Sequence, residues 1–386
     1  MISFTFHNPV KLHFGKGQLE NLGKIASTLG KRVLLVTHPW HDEHRSLVPQ
    51  AAMFERAKMI LEKAGLDITV YDRVVPNPDV SDIDAGARIA ADKQIEAIVG
   101  IGGGSAMDTA KAISVVAPQG GSAWDYVFFK KPKISKQTLP VIAITTTSGT
   151  GSHMTNIAVV SNRKTGEKFP IVSPNIYPVA SICDPELMLG IPRRTTIETG
   201  FDVFAHAFES FTARNANPFI DNLAIDAIRL VSTNLVAVVQ DLTNLDLREK
   251  MAFADTMAGI CISSVGTTVP HAMGQPISAI APGISHGQSL MLVFPPFLER
   301  AAMGVPEKFI RVGRFFEPGV HDAKSAAAAM ITWIHSFNCP TKLHEIGVDA
   351  KNIAKLRELC IMFKKIEQGP VPFTGEDIAC MFNEIL

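Results

Sequence analysis

Asp202, His206, His271 and His286 are residues of the types that ligate a divalent metal. The first two lie in Gly200-Phe-Asp-Val-Phe-Ala-His-Ala-Phe-Glu209, which reads as the start of a helix. Their i, i+4 spacing puts a carboxylate and an imidazole one turn apart on the same face. His271 follows Pro270, and His286 sits in Gly283-Ile-Ser-His-Gly287 just after Pro282, so both belong to segments broken by Pro and Gly. Such breaks let side chains from different helices converge. One carboxylate with three imidazoles suits Fe²⁺, Zn²⁺, Co²⁺ or Ni²⁺, and suits Mg²⁺ or Ca²⁺ poorly. With 12 histidines among 386 residues, Asp-x3-His alone is a weak signal, and the surrounding elements must carry the rest.

Those elements divide the chain in two. Residues 32–38 contain a continuous apolar run, as expected of a parallel strand buried on both faces. A helix over 51–65, a strand over 67–71, a helix over 80–93 and a strand over 96–101 follow, and this alternation predicts a parallel sheet with right-handed crossovers. The last strand runs into Gly102-Gly-Gly-Ser-Ala-Met-Asp-Thr-Ala-Lys111, where three glycines permit a sharp turn and close approach of a ligand. Ser105 is the expected N-cap, with Asp108 completing a loose capping box. Exposed N–H groups at such a helix start favour a pyrophosphate. The pattern is neither GxGxxG nor GxxxxGK(S/T), and a plain strand-to-helix turn explains it equally well. A strand over 139–144 leads into a second loop, Thr145-Thr-Thr-Ser-Gly-Thr-Gly-Ser152, rich in hydroxyls and placed where open α/β sheets bind ligands. From Pro192 onward the apolar spacing predicts helices, among them 224–238, 248–262, 326–337 and 352–363. Phe204, Phe208, Phe211 and Met273 near the proposed ligands are core residues or, for some, the lining of a substrate pocket.

A chain of this length is expected to form two domains, set here at 1–190 and 191–386. Hydrophobic residues make up 46% and charged ones 19%, which fits a compact enzyme and argues against disorder. Lys plus Arg equals Asp plus Glu at 37 each, so no basic field invites nucleic acid or an anionic membrane. No signal-peptide pattern and no stretch of ~20 apolar residues is seen. The five cysteines are scattered without a CxxC pair and read as reduced thiols. The expectation is a soluble, cytoplasmic protein.

In this order, the glycine loop, the Thr-rich loop and Asp-x3-His resemble the iron-containing alcohol dehydrogenase family. The resemblance covers nearly the whole chain. Phe14-Gly-Lys-Gly17, Val75-Pro-Asn-Pro78, Asp184-Pro185 and His286-Gly287 also carry it. It implies an N-terminal α/β dinucleotide-binding domain with a parallel sheet and an all-helical C-terminal metal-binding domain, a dehydroquinate synthase-like architecture with metal and substrate in the cleft. It also implies that Gly102, Gly103, Gly104, Ser105, Asp108, Thr146, Thr147 and Thr150 contact NAD or NADP, with Asn77 and Lys168 near it. One divalent metal, Fe²⁺ before Zn²⁺, is implied on Asp202, His206, His271 and His286. The implied reaction is reversible hydride transfer between NAD(P)H and a small alcohol/aldehyde pair. The segment from Phe4 to Lys16 resembles the family's N-terminal β segment, which implies a homodimer or higher homo-oligomer.

The chain departs from the family pattern at two positions. Gln275 stands where the family usually has a second histidine that takes part in proton transfer, and glutamine does not titrate. His153 replaces the usual Glu after the Thr loop, as a substitute proton carrier or, the reading favoured, as a residue merely surrounding the site. At the end of the second family strand, Thr37-His38-Pro39-Trp40 lacks the acidic residue that accepts from a ribose hydroxyl. NADP therefore stays open, and a protonated His38 would favour it. Same-fold alternatives are a glycerol- or polyol-type dehydrogenase and a maleylacetate reductase-like enzyme; a catalytically silent nucleotide binder is the remaining reading.

Overall fold

The structure, a computed structural model, describes residues 3–40, 51–131, 133–281 and 283–386. The chain forms two compact units. One comprises His7–Pro192 with Leu242–Ala252, the other Arg193–Asp241 and Phe253–Leu386 with the N-terminal residues through Phe6.

In the first unit the elements run β1 (Lys11–Phe14), α1 (Leu22–Ala26), β2 (Arg32–Val36), α2 (Ala51–Lys63), β3 (Asp67–Tyr71), α3 (Val80–Asp92), β4 (Ala97–Gly102) and α4 (Gly104–Gln119). Then come β5 (Val141–Thr145), β6 (Ile157–Asn162), β7 (Glu167–Val172) and β8 (Ala180–Cys183). Six strands form one sheet in the order β1-β8-β5-β4-β2-β3, every pair parallel. β4 and β5 are buried along their whole length, which is why their sequences are unbroken apolar runs. The chain moves from β2 outward to β3, then crosses back to place β4 on the other side of β2. That reversal opens a crevice at the carboxyl ends of β2 and β4, the ligand position of open α/β sheets.

A two-stranded antiparallel sheet, β6 with β7, was not anticipated. Pro170 within β7 hides it, because proline argues against a strand. In a two-stranded ribbon every strand is an edge, so the missing donor opposite Val159 is tolerated. The N-terminal segment contributes β1 at the edge of the main sheet, paired with β8.

The second unit contains α5 (Arg193–Thr212), α6 (Pro218–Gln240), most of α7 (Leu245–Ser264), α8 (Val269–Ile280) and α9 (His286–Ala301). It continues with α10 (Pro306–Gly313), α11 (Ala323–His335), α12 (Ile353–Met362) and α13 (Gly375–Glu384). No strand occurs there among the described residues. The helix carrying Asp202 begins at Arg193, so the stretch from Gly200 is its middle, not its start. The polar run Arg-Arg-Thr-Thr concealed the first turns. Pro282, the break expected before His286, lies outside the described residues. Among the described residues one helix, α6, is long and apolar enough to cross a membrane, and α7 with α8 would pass together but bend by 102°. Half of the α6 window is buried inside the protein, as in a core helix. All five cysteines are free thiols.

Candidate metal centre and nucleotide loops

Nearly all of α5 is buried, and its two faces do different work. Phe201, Phe204 and Phe208 enter an aromatic core with Phe294, where Phe204 stacks on Phe208 at 5.4 Å between centroids. These rings are fully buried in that core, as is Met273. The opposite face presents Asp202, His206 and Glu209 at i, i+4 and i+7.

Two chain breaks bring the other ligating types to that face. Gly266, at φ 91, turns the chain between α7 and α8. Thr268 then donates its backbone N–H (2.6 Å) and its hydroxyl (3.2 Å) to Glu209 Oε2. His271 Nδ1 donates to Glu209 Oε1 at 2.5 Å, which turns Nε2 toward Asp202 Oδ1 at 3.4 Å. His286 is the first residue of α9, fixed by a capping box in which Ser285 accepts from the Gln288 N–H. A Cβ on Gly287 would lie 2.0 Å from the Glu198 carbonyl oxygen, so only glycine lets α9 approach α5 this closely. His286 Nε2 and His206 Nε2 lie 3.9 and 3.6 Å from Asp202 Oδ1.

One ligand atom from each of Asp202, His271 and His286 falls within 4.8 Å of the others. The His206 ring stacks on that of His271 at 4.5 Å. Asp202 Oδ1 and His271 Nε2 are buried yet neither has a hydrogen-bond partner. Burial pushes the Asp202 carboxyl up, but the surrounding imidazoles of His206, His286 and His271 hold it well below the usual carboxylate range. Desolvation lowers the His271 imidazole, yet Glu209 and Asp202 together carry it up to about 9. Two buried carboxylates with no Lys or Arg paired to them among the described residues call for a cation. A divalent metal fits this donor set, and Glu209 fits the part of a carboxylate orienting a ligating histidine. Glu209 was not singled out from sequence, although its i+7 spacing from Asp202 places it on the same face. Gln275, one turn after His271, is buried with Oε1 lacking a hydrogen-bond partner.

In the α/β unit, the three glycines are positions of close approach. A Cβ on Gly104 would lie 2.5 Å from Thr150, and one on Gly103 would lie 3.3 Å from the Thr147 hydroxyl. Gly102, at φ 149, has His38 beside it, and its carbonyl accepts from the Thr146 N–H at 3.0 Å. The glycine turn, Thr loop and His38 therefore meet at the sheet crevice. The expected cap does not form: α4 starts at Gly104, its N-cap is Gly103 without a side-chain bond, and Ser105 lies inside the helix. Asp108 instead accepts from the Ser152 hydroxyl (2.6 Å) and the Val159 N–H (3.0 Å), with Lys111 Nζ 3.8 Å away. Lys111 donates to the carbonyls of Ser152, Thr155 and Ile157, which ties α4 to the Thr loop and β6. Lys168, on the hairpin strand β7, donates to Asn77 Oδ1 at 2.7 Å, so these two residues also meet.

Burial bears on two histidines near these loops. Burial lowers the pKa of His38 although Nδ1 contacts the Val74 carbonyl at 3.1 Å, so its ring is neutral at neutral pH. His153 is fully buried, and burial with the nearby Lys111 pushes it down to about 3. A group held so low takes up no proton near neutrality, which favours the reading of His153 as a residue surrounding the site.

A parallel sheet with glycine- and threonine-rich loops at its switch point, joined in one chain to a helical unit holding a carboxylate–imidazole cluster, fits the class of metal-dependent nicotinamide oxidoreductases. Residues 9–185 match the model for iron-containing alcohol dehydrogenase, and residues 196–386 match that for the C-terminal part of the same family. The chain belongs to the iron-containing alcohol dehydrogenase family. It is 30% identical to alcohol dehydrogenase 4 of Saccharomyces cerevisiae (strain YJM789) over 383 residues, 98% of this chain and 97% of the yeast protein. It is 29% identical to the NAD-dependent methanol dehydrogenase of Bacillus methanolicus, over 99% of this chain and all of that protein. The crystal structure of a halo-thermophilic archaeal alcohol dehydrogenase from a Red Sea brine pool superposes with a TM-score of 0.93 at 34% identity, each chain fully covered. The protein is an oxidoreductase acting between a nicotinamide cofactor and small alcohol/aldehyde pairs.

Proposed function

We propose that Asp202, His206, His271 and His286 hold one catalytic divalent metal, Fe²⁺ in preference to Zn²⁺, and that the cofactor is NAD. The observation carrying the metal assignment is the pair of buried, unsatisfied ligand atoms, Asp202 Oδ1 and His271 Nε2. When bound, the metal supplies Lewis acidity to the substrate oxygen and the nicotinamide supplies or accepts the hydride. Glu209 fixes the His271 tautomer that presents Nε2. Gln275 orients by hydrogen bonding and moves no proton. Gly102, Gly103, Gly104, Ser105, Thr146, Thr147 and Thr150 bind the dinucleotide, with His38, Asn77 and Lys168 around it. Asp108 acts by bracing the Thr loop. The neutral ring of His38 and the NAD dependence of the Bacillus methanolicus relative favour NAD. We further place the enzyme in the cytoplasm as a homodimer or larger homo-oligomer, with the two functional domains divided near residue 190.

Anaerobic, Fe²⁺-reconstituted protein should oxidise NADH faster than NADPH with short aldehydes, and a chelator should stop it. Undiminished turnover after complete metal removal would overturn the metal assignment, and a preference for NADPH would overturn the cofactor assignment.

A further inference from the structure

The three histidines of the Asp202 cluster are not held alike. His206 lies in the body of α5, and His271 is oriented by Glu209, but His286 is the first residue of a helix. Its side chain is 22% exposed, against 7% for His206 and 4% for His271, and its Nε2 lies farthest from Asp202 Oδ1. A residue at a helix start has no turn before it to hold it, and helix ends fray. Its place is therefore set by whatever fastens the end of α9.

One guanidinium does this. Arg194, at the start of α5, donates from Nε to Glu198 Oε1 at 2.7 Å and from Nη2 to Gln288 Oε1 at 2.8 Å. The same Gln288 oxygen accepts from the Ser285 N–H at 3.4 Å, while the Gln288 N–H donates to Ser285 Oγ at 3.2 Å. Arg194 thus reaches from the helix of Asp202 and His206 into the capping box that starts α9 at His286. The Arg194 side chain is 69% exposed, yet both of its acceptors are buried. The two helices also touch through backbone, where the Glu198 carbonyl fills the place a Gly287 Cβ would take. Contact of that kind sets how close the helices come. A planar fork with two bonds in fixed directions also sets their relative rotation, which a lysine could not do in the same way.

We propose that Arg194 is a positioning residue: through Gln288 it clamps the first turn of α9 to α5 and so holds His286 in place as a ligand of the metal centre. The inference rests on the reading of the Asp202 cluster as that centre.

The test is Co²⁺ affinity of the apo-protein, measured by chelator competition in a double-mutant cycle. Arg194→Met should weaken binding about tenfold, as loss of other groups that orient metal ligands does. Gln288→Met, which leaves the Arg194–Glu198 ion pair intact, should weaken it similarly, and the two together no further. In a His286→Ala background neither should matter, because the ligand through which they act is gone. Gln288→Glu should bind as the wild type does, since a glutamate there closes the capping box and still accepts from the guanidinium. The visible absorption of the Co²⁺ form, which reports the number of ligands, should move in Gln288→Met toward that of His286→Ala. Equal weakening by Arg194→Met with and without His286 would overturn the clamp and leave the metal centre standing. So would Arg194→Met binding as tightly as the wild type when His286→Ala does not. A wild type that binds no Co²⁺, or a His286→Ala variant that binds as the wild type does, would overturn the metal centre and the clamp together.

Discussion

Asp108 in the α/β unit and Asp202 in the helical unit are both buried, at 9% and 3% exposure. Their surroundings differ. Asp108 accepts from Ser152 and Val159 and has Lys111 close by, and Lys111 in turn finds three backbone carbonyls. Asp202 keeps one oxygen without a hydrogen bond and faces histidines, one of which, His271, has an unsatisfied nitrogen of its own. A buried polar group left unpaired is expensive, so proteins retain one where something outside the chain completes it. The first cluster is satisfied within the chain, and the second fits the proposed metal.

The largest effect that would break this contrast comes from the ligand set. Asp202→Asn or His271→Ala should reduce both metal content and aldehyde reduction to background, measured on the same preparation; retained activity would end the contrast. Next, Asp108→Ala should destabilise the chain by roughly 3–5 kcal/mol, because it leaves the Lys111 ammonium buried without its charge partner. Denaturant unfolding of the α/β unit, followed through its midpoint, checks this. The metal-site variants should cost far less on that same measurement.

His153 sharpens the contrast through pH. Its folded pKa of about 3 lies below the 6.5 of the free side chain. Above pH 6.5 both states are neutral and the residue contributes nothing. Below it the unfolded chain takes a proton that the folded one refuses, so stability falls progressively toward pH 3. The loss amounts to roughly 4–5 kcal/mol at the end of that window. His153→Asn should flatten the acid limb of a stability-against-pH curve; an unchanged limb would show that other groups control it. The smallest expected effect is that of Glu209→Gln, a loss of roughly 10–100-fold in metal affinity by analogy with other carboxylates that orient ligating histidines. Metal competition titration reads it directly.

The four proposed ligands could be picked out as candidates from residue type and the Asp202–His206 spacing, but that signal is weak alone and gained weight only from the ordered glycine and threonine loops and the family resemblance they carry. Glu209 lay in the same stretch, but its role depends on Thr268 and on His271, 62 residues away, and only packing brings these together. The parallel sheet could be read from apolar runs and alternation. The hairpin β6–β7 could not, since Pro170 contradicts a strand unless its edge position is known. Ser105 looked like a cap because it is the first polar residue after the glycines. The helix starts earlier, at Gly104, where a Cβ would meet Thr150, and no local rule contains that contact.

Metal stoichiometry puts the Asp202 cluster to its sharpest trial. Apo-protein dialysed anaerobically against Fe²⁺ or Zn²⁺ should bind one ion per chain, and the Asp202→Asn/His271→Ala double variant, folded by circular dichroism, should bind none. One ion per chain in the double variant, or none in a wild type that reduces aldehydes, would contradict the assignment of these residues as the metal centre.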